Sequence, residues 1–235
     1  MALPQLNSAR YVTVVPSLGK EVEYRPYLVK EEKILMMALE SQDQKQTIRA
    51  IKDVLSNCIY DKIDVDKLAM FDLEYLFLQL RSKSVGESVA LKVKCEKCDE
   101  NADTVFDLTE IEPPHVAEGA NIIQLTENIG ITLRYPSIKD IEKIKEDELK
   151  TMEGLANLIV LLIDTIYDED NVHDAAQESK KDLQEFIDGF NNEQFMRVAR
   201  FFEKLPTLKH DLKFECNACG ATNNIELKGL QSFFS

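Results

Sequence analysis

The sequence predicts an α+β protein, with β-hairpins set against a helical portion, and three observations predict it. Apolar and polar residues alternate in short runs near the start of the chain, again around residues 89–108 and 121–135, and near its end. Between these runs, apolar residues recur at helical spacing. Two Cys-x-x-Cys motifs, Cys95/Cys98 and Cys216/Cys219, each stand between two alternating runs, as turns between paired strands would.

Residues 10–27 hold two β-rich runs around Pro16-Ser17-Leu18-Gly19, the chemistry of a hairpin turn. From Val29, VKEEKILMMALES places Ile34, Leu35, Ala38 and Leu39 as the buried stripe of a helix. Ser41 or Asp43 can cap a second helix, DQKQTIRAIKDVLSNCI, with Ile48, Ile51, Val54 and Leu55 inward. A third follows in DLEYLFLQLRSK, where Asp72 can serve as N-cap and Leu73, Leu76, Phe77 and Leu80 form the stripe. VALKVKC and DTVFDL then alternate on either side of the first cysteine pair, and NIIQLTENIGITLRY reads as a further hairpin with its turn at Asn128 to Gly130.

From Ile138 to Tyr167 the pattern is helical throughout. It is charged at first in KDIEKIKEDELK, a solvated face, and nearly apolar all round in GLANLIVLLIDTIY. DEDNVHDAAQESKK reads as a loop. Ser179 or Asp182 starts a helix with Leu183, Phe186 and Ile187 on one face and Gly189 as its stop, and Asn191 or Asn192 starts another that Pro206 ends. The apolar run Leu155 to Ile166 and the aromatic face of Phe195, Phe201 and Phe202 read first as core and second as partner surface. HDLKFEC and TNNIELK repeat the strand, turn, strand arrangement of the first cysteine pair. The expectation is one α+β unit over 1–235, with a ribbon-like β part at 87–110 and 209–230 and helical parts at 29–83 and 138–205.

With 44% hydrophobic and 30% charged residues, the composition is that of a globular protein. Its 28 basic against 42 acidic residues, a net charge of −14, argue against nucleic acid, whose binding needs clustered Lys and Arg. The N-terminal residues lack the basic start and apolar stretch of a signal peptide, and Leu155 to Ile166 falls short of the ~20 residues that span a bilayer. A cytosolic protein without a membrane partner is expected, and in cytosol paired cysteines point to metal before disulfides.

Each cysteine pair lets two thiolates of one turn reach a single ion, and tetrahedral zinc with four sulfur ligands needs two such turns. Cys95, Cys98, Cys216 and Cys219 are therefore expected to hold one structural Zn2+ and to clip two zinc-knuckle hairpins together. Between Cys98 and Cys216 lie 117 residues. Closing such a loop costs roughly 4 kcal/mol, against the order of 10–16 kcal/mol that a structural zinc site supplies. A redox role fits less well, because a strand rather than a helix follows each pair. Four thiolates also leave no open position for a zinc-bound water, so a catalytic ion is not expected. Cys58 reads as a buried thiol, and His115, His173 and His210 as surface residues, His210 being the one that could neighbour the knuckles. No catalytic acid and base, phosphate loop or dinucleotide fingerprint stands out, so no enzyme is expected.

The strings RPYLVKEEK and FDLEYLFLQLRSKSVGE, with the opening MALPQLNSARYVTVVPSLGKEVEY and the strand carrying Cys95 and Cys98, resemble the baseplate hub family of T4-like bacteriophages. Beyond Cys98 the likeness rests on the order of elements and on the second cysteine pair. It implies a non-enzymatic hub subunit or hub assembly factor of a contractile tail. Such a protein would bind other tail baseplate proteins, in the host cytoplasm during assembly or in the virion baseplate. The competing reading is a zinc-ribbon adaptor for a polymerase or nucleic acid. Around the first pair, Lys92, Lys94 and Lys97 are offset by Glu96, Asp99 and Glu100, which weakens the nucleic-acid version.

Overall fold

The computed structural model describes residues 8–41, 43–143 and 151–233. In chain order the elements are β1 (Tyr11–Val15), β2 (Lys20–Tyr24), α1 (Val29–Glu40), α2 (Gln44–Cys58), α3 (Met70–Ser84), β3 (Ser88–Lys94), β4 (Asn101–Asp107), β5 (Ile122–Gln124) and β6 (Gly130–Leu133). They continue with α4 (Ile138–Lys143), α5 (Met152–Leu162), β7 (Ile163–Tyr167), β8 (Val172–Asp174), α6 (Lys180–Asp188), α7 (Asn192–Glu203), β9 (Lys209–Glu215) and β10 (Thr222–Lys228). Backbone contacts gather these into two compact units, Met1–His115 with Thr207–Ser235, and Val116–Pro206.

In the first unit, β1 and β2 form the expected hairpin, closed by Gly19 at φ +58°. The Ser17 N–H (2.8 Å) and hydroxyl (2.5 Å) both donate to the buried carboxylate of Asp72. The sequence pattern predicts that residue as the N-cap of the third helix. It stands instead one turn inside α3, where it accepts the Ala69 N–H (3.0 Å) and so closes the helix start while anchoring the hairpin turn. Leu73, Leu76, Phe77 and Leu80 are all buried as expected, and so are Ile51, Val54 and Leu55 of α2, whose N-cap is Asp43. The first helix departs from its expected stripe: α1 buries Glu31, Leu35 and Ala38, and leaves Ile34 and Leu39 exposed. Glu31 takes the position because Arg25 (3.0 Å) and the Leu28 N–H (2.8 Å) pair its carboxylate.

The second unit is a four-stranded antiparallel sheet, β5-β6-β7-β8, covered by α5, α6 and α7. Two segments differ from the sequence reading. Ile163–Tyr167, expected as the end of a helix, is strand β7, and Val172–Asp174, expected as loop, is strand β8. Both changes have one cause: β7 offers β-branched Ile163, Thr165 and Ile166 to the open edge of β6, and tertiary pairing overrides a helical apolar pattern. Asp168 then turns the chain, its carboxylate accepting the Asp170 and Asn171 N–H groups at 2.8 Å each, which brings β8 back onto β7. Residues 144–150 of the expected helix lie outside the described residues. Phe195 and Phe201 are buried and, with Phe202 and much of Leu155 to Ile166, build this unit's core, as the first reading of those segments had it.

Two contacts fix the sheet's ends. Arg134 donates to the Leu161 carbonyl (2.8 Å) and forks onto the buried Asp140, which also accepts the Ser137 N–H (2.9 Å) and hydroxyl (2.6 Å). The end of β6, the start of α4 and the end of α5 are thereby tied together. At the other end, Gly130 pairs directly with Tyr167, whose hydroxyl donates to Gln124 (2.9 Å). A Cβ at position 130 would stand 2.2 Å from the Tyr167 hydroxyl oxygen and 2.3 Å from the ring carbon that bears it. Gly130→Ala is expected to cost about 1–2 kcal/mol by displacing that ring. Thermal melts of the variant should show the loss, and the same substitution made with Tyr167→Ala should cost nearly nothing more.

Candidate metal centre

The two cysteine pairs stand at the tips of β3–β4 and β9–β10. These are seven-residue strands whose inward residues alternate in step: Val89, Leu91, Val93, Ala102 and Phe106 on one hairpin, Leu212, Phe214, Asn223 and Leu227 on the other. The inner faces join one hydrophobic cluster with Tyr75 and Leu78 of α3. Register brings Lys94 opposite Asn101, and Glu215 opposite Thr222, so each tip carries the same six-residue excursion.

The tips are congruent bond by bond. The Cys95 N–H donates to the Glu100 carbonyl (2.9 Å) and the Asp99 N–H to the Cys95 carbonyl (3.0 Å). The Cys216 N–H donates to the Ala221 carbonyl (2.9 Å) and the Gly220 N–H to the Cys216 carbonyl (2.8 Å). The residue after each second cysteine is left-handed, Asp99 at φ +58° and Gly220 at φ +66°. Aspartate is among the few side chains that accept that region readily, which is how one tip dispenses with glycine.

This geometry brings all four predicted sulfurs together. The cross-hairpin separations are 3.7 Å for Cys95 to Cys219 and 3.7 Å for Cys98 to Cys216, and all four Sγ atoms lie within 4.8 Å of one another. Sulfurs 2.3 Å from a tetrahedral zinc stand about 3.8 Å apart, so the donor set fits such an ion in number, chemistry and spacing. Cys95 and Cys216 are buried while Cys219 is exposed. The Lys97 backbone N–H, 3.4 Å from the Cys95 sulfur, is the leading cause that lowers this thiol. At Cys98 the Glu100 backbone N–H also lowers it but is outweighed by the crowding sulfurs of Cys219, Cys95 and Cys216, which push it up, so the thiols share their protons as a group.

Sequence reasoning missed Asn223. Buried at an inward strand position, it accepts the Glu96 N–H of the opposite knuckle (3.0 Å) and donates to the Ala221 carbonyl (2.8 Å), a polar strut between the tips. Its signal was an asparagine at an inward position of an alternating run. His210 does not neighbour the sulfurs; at the start of β9, opposite Leu227, its ring packs 5.1 Å from that of Phe106. Cys58 stays apart, fully buried, with burial pushing its thiol up to about 11. In the second unit His173 lies 3.8 Å from both Asp168 and Glu178 beside a cleft of about 360 Å³, a group of half-exposed surface pairs. Among the described residues the four cysteines are the group of His, Cys, Asp or Glu that could hold a metal ion, and no described helix is long and apolar enough to cross a membrane.

Comparison with curated proteins and with solved structures finds no match. The model of the family described as T4 bacteriophage base plate protein matches residues 8–235. That match runs through both units and all four clustered cysteines, and the chain belongs to the T4 bacteriophage base plate protein family.

Proposed function

We propose that the protein is a non-enzymatic component of the hub of a contractile-tail baseplate, either a hub subunit or a factor that assembles the hub, and that it works by binding other baseplate proteins. The observation that carries this reading is the family match over residues 8–235, which includes both compact units. In this reading Cys95, Cys98, Cys216 and Cys219 hold one structural zinc ion. The ion supplies no turnover; with four thiolates it has no free position for substrate or water. The protein does the rest: the hairpins bring the sulfurs to one point, the Lys97 backbone N–H favours thiolate at Cys95, and the Asn223 side chain bonds one tip to the other.

The test is an affinity pull-down of the tagged protein from infected cells, washed in high salt to strip partners recruited by the −14 charge, with mass spectrometry of what remains. Recovery of tail hub proteins is the expected outcome. Recovery of a polymerase without tail proteins would replace this reading with the adaptor one.

A further inference from the structure

Helix α1 carries an apolar face that none of the described residues of its own unit covers. Six of the sixteen exposed large apolar side chains among the described residues fall between Leu28 and Leu39, so this short stretch holds more than a third of them. The helix buries Glu31, Leu35 and Ala38; on the opposite side Val29, Lys33, Met36, Met37 and Glu40 follow one another at i, i+4, i+7, i+8 and i+11, all exposed. Val29, Met36 and Met37 are each more than half exposed. Neither Lys33 nor Glu40 has an ion-pair partner among the described residues.

We propose that this face pairs with the same face of a second copy, the two α1 helices lying antiparallel about a two-fold axis between Met36 and Met37. The charges select this occupant and this register. Lys33 and Glu40 stand equally far before and behind that midpoint, so an antiparallel pair sets Lys33 of each copy against Glu40 of the other and closes two ion pairs around four methionines. A parallel pair would set Lys33 against Lys33 and Glu40 against Glu40, and is excluded by repulsion. The exposed face carries one charge of each sign, whereas the chain as a whole carries −14. It is a place where two such chains meet without net repulsion across the contact. Twelve residues of helix rise about 18 Å. One such pair falls short of the roughly 800 Å² per partner of a standard interface, so the dimer is a weak one, dissociating in the micromolar range.

The experiment is sedimentation velocity of the full chain in about 0.15 M salt, from roughly 1 to 200 μM. A concentration-dependent shift from monomer to dimer is expected. Lys33→Glu and Glu40→Lys should each weaken self-association at least about tenfold, while an equimolar mixture of the two variants, and the double exchange Lys33→Glu with Glu40→Lys, should regain it. Both positions are exposed, and unchanged melting temperatures would show that the variants fold. A chain that stays monomeric throughout, a dimer indifferent to both substitutions, or a loss that neither the mixture nor the double exchange repairs would each overturn the proposal. None of these readouts depends on the metal or on a baseplate partner.

Discussion

Replacing Cys95 or Cys219 with serine is expected to abolish one-to-one zinc binding and to melt the β part of the first unit, although one of these cysteines is buried and the other exposed. The size follows from two opposed quantities. A four-thiolate site supplies on the order of 10–16 kcal/mol of apparent binding energy, and joining tips separated by 117 residues of chain costs roughly 4 kcal/mol. The difference is as large as the whole stability of a typical domain, about 5–15 kcal/mol. What remains without the ion is the shared apolar cluster of the two hairpins and α3, and the strut from Asn223. Zinc analysis by mass spectrometry and a thermal melt check both halves of the expectation. A strong chelator should act like the substitutions. Cys58→Ser should keep full zinc and lose only about 1–2 kcal/mol from placing a hydroxyl at a fully buried position. Full zinc occupancy in either ligand variant would exclude the four-sulfur site.

Asp140→Ala is expected to cost the second unit about 3 kcal/mol, because it strands the Arg134 guanidinium and the Ser137 N–H beside the end of α5. Acid should do part of the same work on the native chain. Burial pushes the Asp140 carboxyl up, and the Arg134 fork with the Ser137 hydroxyl and N–H outweighs it, holding the group at about 2 against an ordinary 3.8. A carboxyl whose folded value is depressed contributes its stability fully above the unfolded value and loses it as pH falls toward the folded one. The loss therefore falls between about pH 4 and pH 2, and amounts to about 2 kcal/mol after allowance for the partly exposed Arg134. In Asp140→Asn the same window should be flatter, and the gap between the variant and the native chain should close by about pH 2. A gap unchanged across that window would mean that the carboxylate charge is not what ties these three elements.

The convergence of the four cysteines was almost wholly legible in the sequence, since pair spacing and strand alternation are local signals and both pairs carry them. Reading that the pairs converge required only that two half-buried hairpins share a core, and their inward Val89, Leu91, Val93, Leu212 and Phe214 do. What failed was decided by distant partners. Ile163–Tyr167 has the apolar density of a buried helix, and only the open edge of β6, thirty residues earlier in the chain, makes it a strand. Asp72 was placed on the right helix but at the wrong position, because its chief partner, Ser17, comes from the first hairpin. Along α1, Leu35 and Ala38 were placed inside correctly, while Ile34 and Leu39 lost their expected places because Arg25 carries Glu31 into the buried stripe. A charged residue paid for by a partner six positions away is invisible to a hydrophobic template.

Along the chain the second unit falls between the two cysteine pairs, and that sequence order also sets an order in time. At about 5–20 residues per second, the 117 residues between Cys98 and Cys216 take roughly 6–23 seconds to synthesise. Throughout that interval the first pair of thiols waits on a nascent chain without its partners. The second unit, contiguous from Val116 to Pro206, can meanwhile emerge whole and fold without waiting for a later segment. A metal ion held by all four sulfurs could be enclosed only after synthesis has passed Cys219, so a filled site would mark a chain that has got that far.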